Sequence, residues 1–261
     1  MIPSALDQLD KIIAPARGKR LAVFLDYDGT LTPIVSQPED AWLSDSMRQT
    51  LRELAARASV VAILSGRDLD DVGRRVNIDS IVCAGSHGFD IAGPRGLRRQ
   101  MATEFLPTLD LAEKELHEAL DGISGARVER KRFSIAAHYR NVNENDLAKM
   151  EQAVGEVATR HRKLRRINGK KVYELLPDVA WDKGKAVLWL LETLGLESRS
   201  GGIQPIYIGD DRTDEDAFRA LEQRGIGILV SEQSQPTAAQ YSLKDPAEVE
   251  RFLRALGATL A

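Results

Sequence analysis

The chain has 261 residues, of which 43% are hydrophobic, and its 36 Lys and Arg residues against 39 Asp and Glu residues give a formal net charge of −3. This composition is typical of a globular protein and excludes a disordered chain, which would be poorer in apolar residues and more one-sided in charge. It also disfavours a general nucleic-acid binder, which needs a net basic surface. At about 150 residues per domain, the length predicts two domains or one large one.

A few residues bear on the compartment in which the protein works. Cys83 is the only cysteine, so the chain cannot form an internal disulfide or assemble a zinc site from thiolates alone. Asp7, Asp10 and Lys11 interrupt the apolar stretch that a secretory signal would need. No run approaches the ~20 apolar residues that span a bilayer. We therefore expect a cytoplasmic protein without a membrane partner.

Buried strands are predicted where the sequence has short, unbroken apolar runs. The runs are Leu21 to Leu25, Val60 to Leu64, Ile81 to Ala84, Ile206 to Ile208 and Ile226 to Val230. Unbroken runs indicate strands that are covered on both faces, as in a parallel sheet. Helices are predicted between them, one capped by Ser44 and another by Asp68. Strands that alternate with helices predict a doubly wound, Rossmann-like α/β core.

Residues 104–179 have a different pattern. A helical stripe from Leu109 to Leu120 comes first, followed by two runs of alternating polarity, a second helix and a hairpin with its turn at Asn168-Gly169. We interpret this stretch as an inserted α+β cap domain with the order αββαββ. The core domain then consists of residues 1–103 and 180–261.

The strands of the cap domain carry polar side chains on shared faces, because successive residues of a strand point to opposite sides. Glu129 and Lys131 share one face of their strand, and Lys170 and Glu174 share one face of theirs. Ser134, His138 and Arg140 form a third group. Such a face can bind a ligand, or it can simply be solvated.

Acidic residues follow two of the predicted core strands. Asp26 and Asp28 come directly after the first strand, and five acids lie between Asp210 and Asp216, after the fourth. In an open parallel sheet, ligands bind beyond the carboxyl ends of the strands. Asp and Gly are also ordinary turn residues, so either cluster alone has a structural explanation. Oxygen ligands at two strand ends favour a hard cation, and Mg²⁺ is usual where phosphates are handled.

Two further segments could bind an anion. Ser65-Gly66-Arg67 ends the second strand just before a helix, where a hydroxyl and free backbone N–H groups are available. Lys183 opens the helix after residue 181, and a lysine there can neutralise a phosphate as a compact charge. A helix cap and a surface lysine are the structural alternatives.

These residues together resemble a known family. Asp26-x-Asp28-Gly29-Thr30, Ser65, Lys183 and Gly209-Asp210-Asp211-x-Thr213-Asp214 are similar, in order, to the four motifs of the haloacid dehalogenase superfamily of phosphohydrolases. Five longer segments resemble the trehalose-6-phosphate phosphatases, particularly their plant-type form: LDYDGTLTPIV, ILSGRDLDDV, AGSHGFDI, ELLPDVAWDKGKAV and IGDDRTDEDAF. The resemblance extends from about Leu21 to Leu253.

The resemblance implies a phosphoric monoester hydrolase that converts trehalose 6-phosphate to trehalose, the last step of trehalose biosynthesis. Asp26 is then the nucleophile and Asp28 the general acid and base. Ser65 and Lys183 hold the phosphate. The expected Mg²⁺ ligands are Asp26, Asp28 through its backbone carbonyl, and Asp210. Asp211 or Asp214 supports either the metal or Lys183, and the sequence leaves that choice open.

The resemblance also implies the substrate contacts. The sugar-binding residues would come from the cap domain, and Gly66, Arg67 and His87 would add contacts from the core. The cap residues that match the family pattern are Glu129, Lys131, Arg140, Lys170 and Glu174. The expected partner is a small sugar phosphate, and we expect a monomer.

Three other functions remain open at this point. The first is a phosphatase of the same fold that acts on another sugar or glycosyl phosphate. The second is a non-catalytic sugar-phosphate-binding domain, although no member of the acidic set is missing. The third is nucleic-acid binding through the basic run from Arg160 to Lys171, which lacks interleaved aromatic residues.

Overall fold

Two β-sheets, one in each of two structural units, organise the chain. A computed structural model of the protein describes residues 2–14, 20–169, 171–196 and 202–260. Unit 1 is formed by Met1–Arg99 and Trp181–Ala261, and unit 2 by Gln100–Ala180. Lys170, predicted to bind substrate, lies outside the described residues.

The elements are numbered along the chain. The strands are β1 (Arg20–Leu25), β2 (Val60–Leu64), β3 (Val82–Gly85), β4 (Asp90–Ala92), β5 (Arg98–Gln100), β6 (Arg127–Lys131), β7 (Ser134–His138), β8 (Leu164–Gly169), β9 (Val172–Pro177), β10 (Ile203–Gly209), β11 (Ile226–Val230) and β12 (Tyr241–Leu243). The helices are α1 (Leu9–Ile13), α2 (Asp45–Arg57), α3 (Leu69–Val76), α4 (Leu106–Leu120), α5 (Glu144–Arg160), α6 (Lys183–Thr193), α7 (Glu215–Leu221) and α8 (Pro246–Ala258).

The sheet of unit 1 has the strand order β12-β11-β10-β1-β2-β3-β4-β5. Pairing is parallel from β12 to β3, and β4 then runs antiparallel to β3. The predicted parallel α/β core is therefore confirmed. The sequence did not predict β4, β5 and β12, because three residues are too few to show a hydrophobic period.

The predicted helix starts in unit 1 are confirmed. The Ser44 hydroxyl accepts a hydrogen bond from the Met47 amide at the start of α2, and the Asp68 carboxylate accepts one from Leu69 at the start of α3. Such caps satisfy amides that have no partner within the helix. β1 is buried from its second residue onwards, as expected for a strand that is covered on both faces.

Unit 2 contains the antiparallel sheet β6-β7-β9-β8. Leu116 of α4 and Val154 of α5 are fully buried in one apolar cluster with Ile135 and Leu175 of the sheet. Both helices therefore pack on the same sheet face, and the elements follow one another in the predicted αββαββ order.

The position of the second hairpin turn was predicted wrongly. Asn168 and Gly169 belong to β8, where they pair with Tyr173 and Val172 of β9. The turn therefore follows Gly169, and Lys171 adopts a left-handed backbone with φ of 64°. Register is set by the side chains that must reach the apolar core, here Leu164, Tyr173 and Leu175, and a turn two residues earlier would break this pairing.

Among the helices that the structure describes, none has both the length and the apolarity needed to cross a membrane.

Candidate active site

Three carboxylates converge at the carboxyl ends of β1 and β10. These strands are neighbours with Leu25 opposite Ile208, so the residues that follow them lie side by side. The carboxylate oxygens of Asp26, Asp210 and Asp214 lie within 4.8 Å of one another, and all three residues are buried. Like charges this close repel strongly when little water screens them, so the cluster needs positive charge.

Lys183, the first residue of α6, supplies part of that charge. Its Nζ lies 2.6 Å from Asp26 Oδ1 and 2.7 Å from Asp214 Oδ1. Burial alone would lower the pKa of Lys183, but the two carboxylates outweigh it and raise the pKa. Lys183 is therefore a permanent cation here. If all three carboxylates are ionised, one ammonium leaves the cluster with a net charge of about −2, which suits a divalent cation.

The Asp26 carboxyl is tuned by opposing effects. Burial raises its pKa, Lys183 lowers it, and the neighbouring Asp214 and Asp210 raise it further. The net direction is upward, which disfavours the ionised form. Because an ionised carboxylate is the nucleophilic form, a cation bound at this cluster would favour the reactive state.

Asp214 has little capacity left for a metal ion. Its Oδ1 accepts hydrogen bonds from Lys183 Nζ and from Tyr207 Oη at 2.6 Å, and its Oδ2 accepts from the Asp210 and Asp211 amides at 3.0 and 2.9 Å. Gly209 packs directly against this carboxylate, where a Cβ would overlap it. These four donors match the lone-pair capacity of a carboxylate. Asp214 is thus suited to hold Lys183.

Asp211 has a local structural role. Its carboxylate accepts a hydrogen bond from the Arg212 amide at 2.6 Å and caps the short 3₁₀ turn Arg212–Asp214. It is half-buried and is not part of the three-carboxylate cluster.

Asp28 is held by an arginine fork. Arg67 Nε lies 2.7 Å from Asp28 Oδ2, and Arg67 Nη2 lies 2.6 Å from Asp28 Oδ1. The same guanidinium also bonds Asp71 at 2.9 Å. Bidentate pairs of this kind are strong and fix orientation. Gly29 has φ of +88°, and a Cβ there would overlap the Asp210 carboxylate, so this turn requires glycine.

Two turns pack against each other beyond neighbouring strands: Ser65 and Gly66 follow β2, and His87 follows β3. The His87 amide donates to the Ser65 carbonyl at 2.9 Å, and the Arg67 amide donates to Ser65 Oγ at 3.1 Å. A Cβ at Gly66 would lie 2.9 Å from His87 Cε1. Ser86 and His87 both have positive φ, at 47° and 57°, a costly conformation that usually marks a functional site.

In unit 2 the structure brings several predicted residues together. Lys131 Nζ and Ser134 Oγ both bond Glu174 Oε1, at 2.9 and 2.6 Å. His138 Nε2 lies 2.7 Å from Glu129 Oε2, and this hydrogen bond lowers the pKa of Glu129.

Arg140 is not on the strand with the other polar residues of its group. β7 ends at His138, and Arg140 is exposed in the turn two residues beyond it.

Two residues that contact the acidic cluster had no functional role predicted from the sequence. Tyr207 donates to Asp214, and Thr30 Oγ1 donates to Asp210 Oδ1 at 3.2 Å. Thr30 lies within the motif around Asp26, which is a usable signal. Tyr207 lies within an apolar run that predicts a buried strand, so its sequence context does not distinguish it from the core residues beside it.

A doubly wound parallel sheet with carboxylates beyond its strand ends, paired with a lysine at the start of a helix, is the arrangement of a phosphohydrolase of the haloacid dehalogenase superfamily. The trehalose-phosphatase family model matches residues 24–247. The chain is 46% identical to probable trehalose-phosphate phosphatase 4 of Oryza sativa subsp. japonica, over 96% of this chain and 70% of that protein. It is 44% identical to trehalose 6-phosphate phosphatase RA3 of Zea mays, over 97% and 74%. The chain therefore belongs to the trehalose-phosphatase family.

Solved structures agree on the fold. The C-terminal domain of trehalose-6-phosphate phosphatase from C. albicans superposes with a TM-score of 0.83 at 23% identity, covering 99% of each chain. At this identity the match supports the fold and adds nothing on substrate.

Proposed function

We propose that the protein hydrolyses trehalose 6-phosphate to trehalose and inorganic phosphate through an aspartyl-phosphate intermediate. The observation that carries this proposal is the contact of Lys183 with both Asp26 and Asp214 at the carboxyl end of β1. It places a permanent cation against a buried carboxylate, in a chain that belongs to the trehalose-phosphatase family.

The proposed chemistry has two steps. An Asp26 carboxylate oxygen attacks phosphorus, the bond from phosphorus to the sugar oxygen breaks, and Asp28 donates a proton to the departing oxygen. Asp28 then removes a proton from water, which attacks phosphorus, releases phosphate and regenerates Asp26. Lys183 and Ser65 hold phosphate oxygens and offset their charge.

Mg²⁺ is the proposed cofactor. The net charge of the cluster and its oxygen-only donors fit this ion. Asp26, Asp210 and the backbone carbonyl of Asp28 are the proposed ligands, and Asp214, whose oxygens already accept four hydrogen bonds, positions Lys183 instead. When bound, the ion offsets repulsion between carboxylate and phosphate.

The predicted cap domain, residues 104–179, lies within unit 2 and is the proposed sugar-recognition domain. Glu129, Lys131 and Glu174 are ionised groups on one sheet face, and charged groups form strong hydrogen bonds with hydroxyls. Arg140 and Lys170 belong to the same proposed set. His87 and Gly66 are the proposed contacts from unit 1, while the contacts of Arg67 support a role in positioning Asp28.

Phosphate release from a panel of sugar phosphates tests this function. With Mg²⁺, trehalose 6-phosphate should give the highest kcat/KM, and chelation should abolish turnover. A higher kcat/KM for another sugar phosphate would favour the alternative substrate and overturn the proposed one. Tight binding without turnover would instead favour a binding domain. Sedimentation of the same sample should give the mass of a monomer.

A further inference from the structure

Tyr207 is a fully buried tyrosine of β10, and its hydroxyl points into the acidic cluster. Tyr207 Oη donates to Asp214 Oδ1 at 2.6 Å, the same oxygen that Lys183 Nζ contacts at 2.7 Å. The tyrosine ring meets Phe218 edge to face, with centroids 5.7 Å apart. This packing fixes the ring, so the hydroxyl has a defined direction.

We propose that Tyr207 is a positioning residue for phosphoryl transfer, acting through Asp214 on Lys183. The proposal rests on the proposed function, because it assigns Tyr207 a part in presenting Lys183 to Asp26 and to the phosphate. Tyr207 acts through Asp214 on Lys183, so it is a positioning residue and not a catalytic one.

Tyr207 and Lys183 share one oxygen of Asp214 as their hydrogen-bond acceptor. Asp214 is fully buried, so water cannot replace a donor that is removed. Without the tyrosine hydroxyl, Lys183 is the remaining side-chain donor to Asp214 Oδ1 among the hydrogen bonds described. The ammonium would then be drawn towards Asp214 and away from Asp26. Tyr207 therefore keeps the lysine charge divided between the two carboxylates.

A purely structural role makes a different prediction. In that case the hydroxyl only satisfies a buried carboxylate, and its loss lowers stability while the chemistry of the folded enzyme is unchanged. Tyr27 offers a matched control, because it is also fully buried and its hydroxyl donates to the Ala41 carbonyl at 2.9 Å.

The experiment compares Tyr207→Phe with Tyr27→Phe, using trehalose 6-phosphate and p-nitrophenyl phosphate. We expect Tyr207→Phe to lower kcat about tenfold, equivalent to about 1.4 kcal/mol, with KM changed less than about twofold. Tyr27→Phe should lower the Tm by a similar amount with kcat near that of the wild type. A wild-type kcat for folded Tyr207→Phe would overturn the proposal.

Two non-natural residues separate hydrogen-bond donation from ring packing. Para-aminophenylalanine at position 207 keeps a donor and should restore most of kcat, whereas para-methylphenylalanine keeps the size and should not. If Tyr207→Phe fails to fold, the kcat values of these two variants still test whether Tyr207 acts as a positioning residue. Equal kcat values for the two variants would contradict a positioning role.

Beryllium fluoride separates this proposal from the proposed function. It mimics a phosphoryl group on a carboxylate, so its binding to Asp26 with Mg²⁺, followed by fluorine NMR, needs no turnover. Tyr207→Phe should bind it about tenfold more weakly than the wild type. If the wild type hydrolyses no sugar phosphate, the proposed function fails, and this binding ratio still tests Tyr207. Equal affinities would overturn its role.

Discussion

At the residue scale, the side chain of Arg67 has a contact that its motif does not predict, a two-point hydrogen bond to Asp28. The sequence places it beside Ser65 in an anion-binding turn, but its guanidinium forms two hydrogen bonds to Asp28. A proton-transfer group works only when it is held within hydrogen-bonding reach of the reacting oxygen. Orientation of Asp28 is therefore the role that the contacts of Arg67 support.

Arg67→Lys tests that role. Lysine keeps the charge but cannot form the two-point contact, so we expect kcat to fall about tenfold with trehalose 6-phosphate. Arg74→Lys is the matched control, because Arg74 lies on α3 close by in sequence and its side chain is 75% exposed. Steady-state kinetics should show a normal kcat for this control, and an equally normal kcat for Arg67→Lys would contradict the role.

Residue identity was more predictable than residue contacts. The motifs predicted site residues at Asp26, Lys183 and Asp210 because acids and a lysine at strand and helix boundaries are visible in the sequence, and the structure brings these three together. The hydrogen bond from Arg67 to Asp28 joins residues 39 positions apart, and nothing local specifies it. The choice of Asp214 over Asp211 as the partner of Lys183 likewise depended on backbone geometry around the 3₁₀ turn.

At the element scale, the parallel strands β1, β2, β3, β10 and β11 and the capped helices α2 and α3 of unit 1 followed from their sequence patterns. The position of the turn between β8 and β9 did not. Asn-Gly favours a turn at residues 168–169, but the register of the two strands keeps both residues in β8. Pairing between strands is decided by which side chains reach the core, and this is a property of the whole sheet.

The polar face of the unit 2 sheet yields a prediction for Glu174. Its carboxylate accepts hydrogen bonds from Lys131 and Ser134, so Glu174→Gln removes a charge that orients this group. We expect KM for trehalose 6-phosphate to rise at least tenfold, while kcat/KM for p-nitrophenyl phosphate stays within about twofold. The exposed Glu118 of α4 provides a control in Glu118→Gln. Parallel losses on both substrates would contradict sugar recognition by Glu174.

At the scale of the whole molecule, the acidic cluster links ion binding to stability. Carboxylates that repel one another destabilise the folded state, so an ion that binds there raises Tm. At a free Mg²⁺ concentration about tenfold above Kd, the gain is about 1.4 kcal/mol. For a chain of this size that corresponds to roughly 3–6 °C.

Thermal shift measurements across millimolar Mg²⁺ check this expectation. Asp210→Asn removes a proposed ligand and part of the repulsion, so it should be at least as stable as the wild type without Mg²⁺ and gain less with it. Asp79→Asn, at an exposed position, should behave as the wild type does. A wild-type Tm that does not change with Mg²⁺ would count against the proposed site.

The overall architecture could be predicted because unbroken apolar runs, helix caps and an inserted stretch of alternating polarity each leave a local pattern. The short strands β4, β5 and β12 could not, because each has only three residues. The full width of the sheet is therefore a result of tertiary structure, whereas its parallel centre, which places Asp26 beside Asp210, was already implied by the sequence.

The central claim is that Asp26 acts by covalent catalysis. Mass spectrometry of enzyme that is rapidly quenched during turnover tests this claim most directly. The account predicts a phosphoryl adduct on the peptide that contains Asp26, absent from Asp26→Asn. With p-nitrophenyl phosphate, whose leaving group needs little protonation, Asp28→Asn should accumulate this adduct because the second step lacks its base. The absence of an adduct at every quench time, together with normal turnover by Asp26→Asn, would contradict the account.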